Sequence, residues 1–216
     1  MAVSGASNDD LRRGLELLGV SRETEQRLSI LVDELRRWQS VKNLVGSGTL
    51  DRIWIRHVAD SAQLLDHAPD ARRWIDLGSG AGFPGLVLGV LLRDRPDVQI
   101  HLVESNGRKC TFLRHAARVA GANAVVHQAR LETVVGRFAG STDVVTARAL
   151  ARLVDLIAWT RPLLQSGAIG LFPKGREAQA ELTEAAKSWT FSAQIVPSRT
   201  SSDGRILCIK GLREPP

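Results

Sequence analysis

Two acids and a dense run of glycines carry the most legible chemistry in this 216-residue chain. Asp76-Leu77-Gly78-Ser79-Gly80-Ala81-Gly82-Phe83-Pro84-Gly85 follows a short apolar run and leads into another, at 86–92. That order reads as strand, tight turn, helix. Glycine has no Cβ and tolerates positive φ, so such a turn sets bare backbone against a small ligand. Glu104 closes the next apolar run, at 98–103, where its carboxylate can accept from both hydroxyls of an adenosine ribose. Arg130, Arg148 and Lys174 each stand just past an expected strand, on the edge where open α/β sheets bind ligands. Cations there suit phosphate and nucleobase oxygens. Each alone reads more readily as a solvated surface charge; their shared edge raises the functional reading.

The turn leaves the cofactor to be decided. Gly80 to Gly85 satisfies the G-x-G-x-x-G dinucleotide fingerprint, with Glu104 at a suitable distance, so a dehydrogenase is a legitimate reading. Against it, Pro84 removes an N–H from the helix start, where a pyrophosphate wants donors. Asp76 is unhelpful near phosphate, and no second substrate domain follows. S-adenosylmethionine fits better: it carries adenosine, a sulfonium and an ammonium, and no phosphate. Asp76 offsets the positive charge while the backbone at Gly78, Gly80 and Gly82 takes the methionyl part. The D-x-G-x-G-x-G form is typical of class I methyltransferases. A turn that merely joins strand to helix is the plainer alternative, but so many glycines cost conformational entropy without a ligand.

The acceptor is narrowed by what the chain lacks. Exocyclic amines are commonly methylated beside an Asn/Asp-Pro-Pro-aromatic loop after the fourth strand; here that place reads Thr146-Ala147-Arg148-Ala149. A pyrimidine C5 needs a cysteine nucleophile, yet Cys110 falls inside an expected helix and Cys208 in the last strand. No Asp-Asp-Asn cluster offers to hold Mg²⁺ beside a catechol, and no metal site is expected. An intrinsically nucleophilic atom such as guanine N7 remains, and its free lone pair requires no base.

The elements that must position these groups follow from periodicity. Apolar residues at helical spacing predict helices over 10–18, 23–39 and 51–65. Strands at 74–77, 98–103, 124–127, 143–146 and 168–172 then alternate with helices at 84–92, 107–120, 150–164 and 176–188. Such alternation predicts a parallel sheet with helices on both faces. The segments 191–196 and 205–210 predict a terminal antiparallel pair. The expected fold is α/β: a class I methyltransferase, Rossmann-like, mostly parallel sheet with an N-terminal helical extension. Residues 1–70 are expected to form a helical subdomain packed on the sheet, and 71–216 the S-adenosylmethionine-dependent domain.

Net charge is +6 and uneven: residues 1–70 hold 9 Lys+Arg against 11 Asp+Glu, and residues 71–216 hold 20 against 12. A basic excess favours a polyanionic partner, although 24 of the 29 cations are arginine and coding-DNA composition alone can produce that. No apolar run approaches the roughly 20 residues of a membrane span. The N-terminus shows no signal pattern, and two distant cysteines are expected to be reduced thiols, so a cytoplasmic location is expected.

Together these residues resemble the bacterial 16S rRNA guanine-N7 methyltransferases of the glucose-inhibited division protein B type. The matching pieces are Trp38 with Lys42-Asn43-Leu44-Val45, Arg56-His57-Val58-Ala59-Asp60-Ser61, the turn at 76–85, Gln128-Ala129-Arg130-Leu131-Glu132, Thr146-Ala147-Arg148-Ala149 and Phe172-Pro173-Lys174-Gly175. They keep the family's order and spacing from about residue 10 to 210. The resemblance implies methylation of one guanine in a small-subunit rRNA loop near the decoding site. It also implies that the cofactor touches Gly78, Phe83, the backbone of Leu131 and Glu132, and Arg148. Glu104 would hold the ribose, where the family often has Asp. Arg130 and Lys174 would serve RNA or the target base as catalytic-site residues. Loss of the activity is associated with streptomycin resistance in the family. The implied partner is 16S rRNA or the small ribosomal subunit, with no DNA or membrane, acting as a monomer. A small-molecule methyltransferase and an RNA-binding module that keeps the fold stay open as alternatives. Asn43, His57, Asp60 and Ser61 either cover the cofactor, place the base or, as His57 more readily reads, pin the helical block to the sheet. His101, His115 and His127 show no pairing pattern and read as structural, and Trp54, Trp159 and Trp189 read as core.

Overall fold

The computed structural model describes residues 5–39 and 47–213, so the Lys42-Asn43-Leu44-Val45 piece lies outside the described residues. Seven strands form one sheet in the order β3-β2-β1-β4-β5-β7-β6. They are β1 (Arg73–Leu77), β2 (Gln99–Glu104), β3 (Ala124–Gln128), β4 (Val144–Thr146), β5 (Ile169–Lys174), β6 (Thr190–Pro197) and β7 (Arg205–Arg213). The first five are parallel; β7 runs antiparallel to β5, and β6 to β7. The expected terminal pair is therefore present, and the expected mostly parallel sheet is observed. Because β2 and β3 lie on one side of β1 and β4 on the other, the chain reverses direction between β1 and β4. In such sheets the crevice beyond the carboxyl ends at that reversal is the ligand site.

Alternation along the strands splits the core into two layers. Trp74, Ile100, Leu102 and Leu171 face one side, where they pack with α4 (Gly85–Leu91), α5 (Gly107–Ala120) and the N-terminal helices α1 (Gly5–Leu18) and α2 (Arg22–Gln39). Ile75, Leu77, Val103, Phe172 and Leu207 face the other side, against α6 (Leu131–Val134), α7 (Leu153–Gln165) and α8 (Ala178–Ala185). A parallel strand buried on both faces reads as a nearly continuous apolar run, which is why β1 and β2 stand out in the sequence. The N-terminal helices share this core, with Leu28, Leu31, Leu35 and Trp54 buried beside Leu86, Leu88 and Phe112.

The helix expected over 51–65 is not a single α-helix. It is a 3₁₀ turn (Ser47–Arg52), a π-helical turn (Trp54–Ala59), the short α3 (Asp60–Ala62) and a second 3₁₀ turn (Gln63–His67). Asp10 of α1 explains part of this. Its buried carboxylate accepts from the backbone N–H of Trp54 at 2.8 Å and of Ile55 at 3.2 Å, so a distant side chain holds the start of the π-helical turn. Wide turns of this kind recur at functional sites. Residues 131–138, to which periodicity assigns no element, form α6 and a 3₁₀ turn (Val135–Phe138).

Candidate active site

The glycine turn lies at the reversal point, directly after β1. Gly78 and Gly80 adopt φ of 64° and 55°, the left-handed region that glycine enters without a Cβ penalty. A Cβ on Gly78 would come within 2.6 Å of the Leu150 side chain, whereas one on Gly80 would meet only the Gly78 carbonyl, at 3.6 Å. The turn is thus closed on one side by Leu150 and open on the other.

Both acids are buried and aimed at this turn. Glu104 ends β2; its Oε2 accepts from Gly80 N–H at 3.0 Å and its Oε1 from Asn106 N–H at 2.8 Å. A carboxylate has about four lone-pair positions, so each oxygen keeps capacity for a further donor. Asp76 is 1% exposed, and its Oδ2 accepts from Gly85 N–H at 3.2 Å. Its Oδ1 has no hydrogen-bond partner among the described residues. Burial pushes the Asp76 carboxyl up to about 7, with the backbone hydrogen bond and Arg148 opposing. Thr146 pairs with Asp76 across β1 and β4, and its Oγ1 is likewise buried without a partner among the described residues.

Two depressions flank Ala149, whose φ of 52° is the one positive value for a non-glycine residue among the described residues. Strained backbone of this kind clusters at ligand sites. The first depression, about 460 Å³, is lined by Gly78, Glu104, Arg130, Leu131, Glu132 and Leu150, among others. The second, about 560 Å³, is lined by Arg56, His57, Asp60, Arg148, Lys174 and Arg205, with the β6–β7 hairpin loop on its rim. A third and larger hollow, about 740 Å³, opens at the amino ends of β1, β4 and β5 among ion pairs such as Arg73–Asp143. It is the wrong end of a parallel sheet for chemistry, so size does not locate the site here.

The three cations read from the sequence do not share one pocket. Arg130 is exposed beside Glu104, while Arg148 and Lys174 line the second depression. Lys174 is nearly buried and donates from Nζ to Glu181 Oε2 and to the Ala151 carbonyl, each at 2.7 Å. Glu181 Oε2 also accepts from Leu153 N–H at the start of α7, so Lys174 fixes the loop that carries Arg148. Arg148 donates to the Arg56 carbonyl at 3.0 Å, to Asp60 Oδ2 at 3.3 Å and to His57 Nδ1. Its guanidinium also lies 5.7 Å from the centre of the Phe83 ring, which in turn packs on His57 at 4.9 Å between centroids.

His57 answers a question the sequence left open. A guanidinium only donates, so Nδ1 accepts and the proton sits on Nε2, which is buried without a partner among the described residues. Burial, then Arg148 and Arg56, pull its pKa down to about 3, so the imidazole is neutral at physiological pH. It binds Arg148, on the loop after β4, and so ties the helical segment to the sheet. Three further histidines make contacts within the fold: His101 with His127 at 3.0 Å, and His115 with Glu34 at 3.0 Å. Spacing along the chain cannot show these pairs, because each joins separate elements. Cys110 and Cys208 are buried free thiols, and no group of three or more metal-ligating side chains occurs among the described residues.

Comparison with known proteins places this geometry in a family. Residues 24–211 match the family model described as GidB, rRNA small subunit methyltransferase G. A "Ribosomal RNA small subunit methyltransferase G" from Methylobacterium sp. (strain 4-46) is 58% identical over 207 residues, spanning 95% of this chain and 97% of the relative. Proteins of the same name from Methylorubrum populi and Bradyrhizobium sp. (strain BTAi1) are 57% and 49% identical, over 94% and 93% of this chain and 96% and 90% of their own lengths. Among solved structures, the fold resembles cofactor-bound Rv0187 from MTB, with a TM-score of 0.59 at 15% identity, covering 96% of this chain and 98% of that one. It also resembles an O-methyltransferase from Bacillus cereus in complex with SAH, with a TM-score of 0.58 at 13% identity, covering 84% and 90%.

Proposed function

The chain belongs to the GidB family, rRNA small subunit methyltransferase G, and on that premise we propose that it transfers a methyl group from S-adenosylmethionine to N7 of a specific guanine in 16S rRNA. The observation that carries the reading is the pair of depressions that flank Ala149 at the β1–β4 reversal, one bordered by Gly78, Glu104 and Glu132, the other by Arg56, Arg148, Lys174 and Arg205 together with Asp60 and Glu181. The first depression, which the glycine turn borders at Gly78, fits the cofactor on chemical grounds together with the acids at that turn. Asp76 offers a cation a buried carboxylate oxygen that has no partner among the described residues, and Glu104 keeps acceptor capacity for ribose hydroxyls. The open side of Gly80 admits a ligand against backbone, and Leu131 and Glu132 form the far wall.

When bound, S-adenosylmethionine supplies an electrophilic methyl group on a sulfonium. The residues of this chain supply position. Glu104 holds the ribose end, and Asp76 offsets the positive end. Arg148 lines the second depression with its guanidinium beside the Phe83 ring, and Ala149, the next residue, lines both depressions. Three of the five N–H groups of Arg148 are engaged with protein acceptors, leaving donors for guanine O6 or a phosphate. Lys174 holds the loop that presents them. Arg130, on the rim beside the cofactor, meets the RNA backbone. N7 carries a free lone pair, so no general base is needed, in keeping with a neutral His57. Fixing the two reacting atoms in line is the main source of rate.

The enzyme works as a cytoplasmic monomer on 16S rRNA or the small subunit, without DNA or a membrane as partner. Residues 1–70 act as a helical subdomain packed on the sheet domain of residues 71–216. The basic excess of residues 71–216 supports an RNA partner, and no helix among the described residues is long and apolar enough to cross a membrane. Glu104→Ala tests the cofactor assignment by calorimetry. Loss of charged hydrogen bonds weakens S-adenosylmethionine binding about ten- to a hundredfold with RNA binding retained. Unchanged cofactor affinity contradicts the assignment.

A further inference from the structure

We propose that Asp60 is the positioning residue of the acceptor depression, holding Arg148 and the β6–β7 hairpin loop in one arrangement; this rests on the function proposed above. Asp60 sits where three segments distant in sequence meet. Its Oδ2 accepts from Arg148 at 3.3 Å, on the loop after β4. Its Oδ1 accepts from Thr200 Oγ1 at 2.6 Å, in the hairpin loop, and from Gln63 Nε2 at 2.8 Å, on its own helical segment. Gln63 ties the same loop a second time, donating to Ser198 Oγ at 3.1 Å and accepting from Arg199 N–H at 3.0 Å. All three segments line the second depression. One carboxylate therefore sets the spacing between the wall that carries Arg148 and the wall formed by residues 198–204.

The charge arrangement gives the clamp a purpose beyond rigidity. The Arg148 and Asp60 side chains are only 19% and 18% exposed, so the pair is substantially removed from water. Asp60 balances the guanidinium, and His57 holds it through a neutral acceptor that adds no charge. The unspent N–H groups of Arg148 then face the acceptor as hydrogen-bond donors within a neutral pair. That suits a reaction which moves positive charge onto the guanine ring. A lone buried guanidinium there opposes the transfer.

Thr200 provides the test, because it touches Asp60 from a partly exposed loop and its replacement leaves the core intact. Thr200→Val removes the hydroxyl at nearly constant shape, and Thr200→Ser keeps it. With small subunits as substrate, Thr200→Val lowers kcat about tenfold by misplacing the acceptor, while the Kd for S-adenosylmethionine stays within about twofold and Thr200→Ser restores the rate. Asp60→Asn, which keeps an acceptor but removes the charge facing Arg148, lowers kcat further, by about tenfold to a hundredfold. A wild-type kcat in Thr200→Val, or an equal loss in the serine variant, overturns the proposal. So does a change confined to thermal stability or to cofactor affinity. If the unmodified protein itself puts no methyl on guanine N7, the function proposed above fails rather than this clamp.

Discussion

Asp76 and His57 sit on the same face of the sheet near Arg148, and burial moves them in opposite directions. The Asp76 carboxyl is raised from 3.8 to about 7. Its contribution to stability is full in acid and is lost as pH climbs through about 7, because between these values the folded state holds a proton that the unfolded chain has released. His57 is lowered from 6.5 to about 3, so its contribution is present above 6.5 and is lost as pH falls toward about 3. Over the shared window the two oppose each other. Asp76→Asn removes one side of the balance, so its melting temperature falls more steeply between about pH 6.5 and 4.5 than that of the unmodified protein; parallel curves contradict this. The same ionisation governs the ligand. Cofactor binding tightens as pH rises from about 6 to 8 and Asp76 becomes an anion, and calorimetry on Asp76→Asn shows that rise flattened. Asp76 and Glu104 are legible in the sequence because each closes a strand next to a recognisable turn. The partner of His57 is not, since Arg148 lies 91 residues away and only the β1–β4 crevice brings them together.

At the scale of elements, the caps decide where the carboxylates point. Asn106 begins α5 by accepting from the N–H groups of Arg108 and Lys109, and its own N–H donates to Glu104 Oε1. One residue therefore starts a helix and aims Glu104, the acid proposed to hold the ribose. Asn106→Ala costs about 1 kcal/mol of stability, read by denaturant unfolding, and also weakens cofactor binding through Glu104. A stability loss with no change in cofactor affinity separates the cap from the site and contradicts this coupling. The alternating strands and helices and the antiparallel tail are visible in the chain because periodicity and glycine or proline stops are local signals. The break in the 51–65 helix is not, because the carboxylate of Asp10 on α1 holds its first N–H groups. Lys174 was legible as a strand-end cation, but its engagement by Glu181 depends on how α8 packs beside β5.

At the scale of the whole molecule, the charge excess and the two depressions lead to separate predictions for the two ligands. RNA affinity falls steeply as salt rises from about 50 to 200 mM, because phosphate contacts release counterions, while cofactor affinity shows little salt dependence. Filter binding and calorimetry on the same preparation measure both. An RNA affinity indifferent to salt favours a small-molecule acceptor instead. Family membership and fold were legible because the glycine turn, the His57–Asp60 piece and the Phe172-Pro173-Lys174-Gly175 piece keep their order. The division of the cations between two depressions was not, because it depends on where Ala149 turns the chain.

The central claim is tested most directly by incubating the protein with methyl-labelled S-adenosylmethionine and small-subunit rRNA, both free and in assembled subunits, and mapping the label. One labelled nucleotide is expected, a guanine carrying the methyl on N7. Label on another base, on another atom of guanine, or on no RNA at all would contradict it.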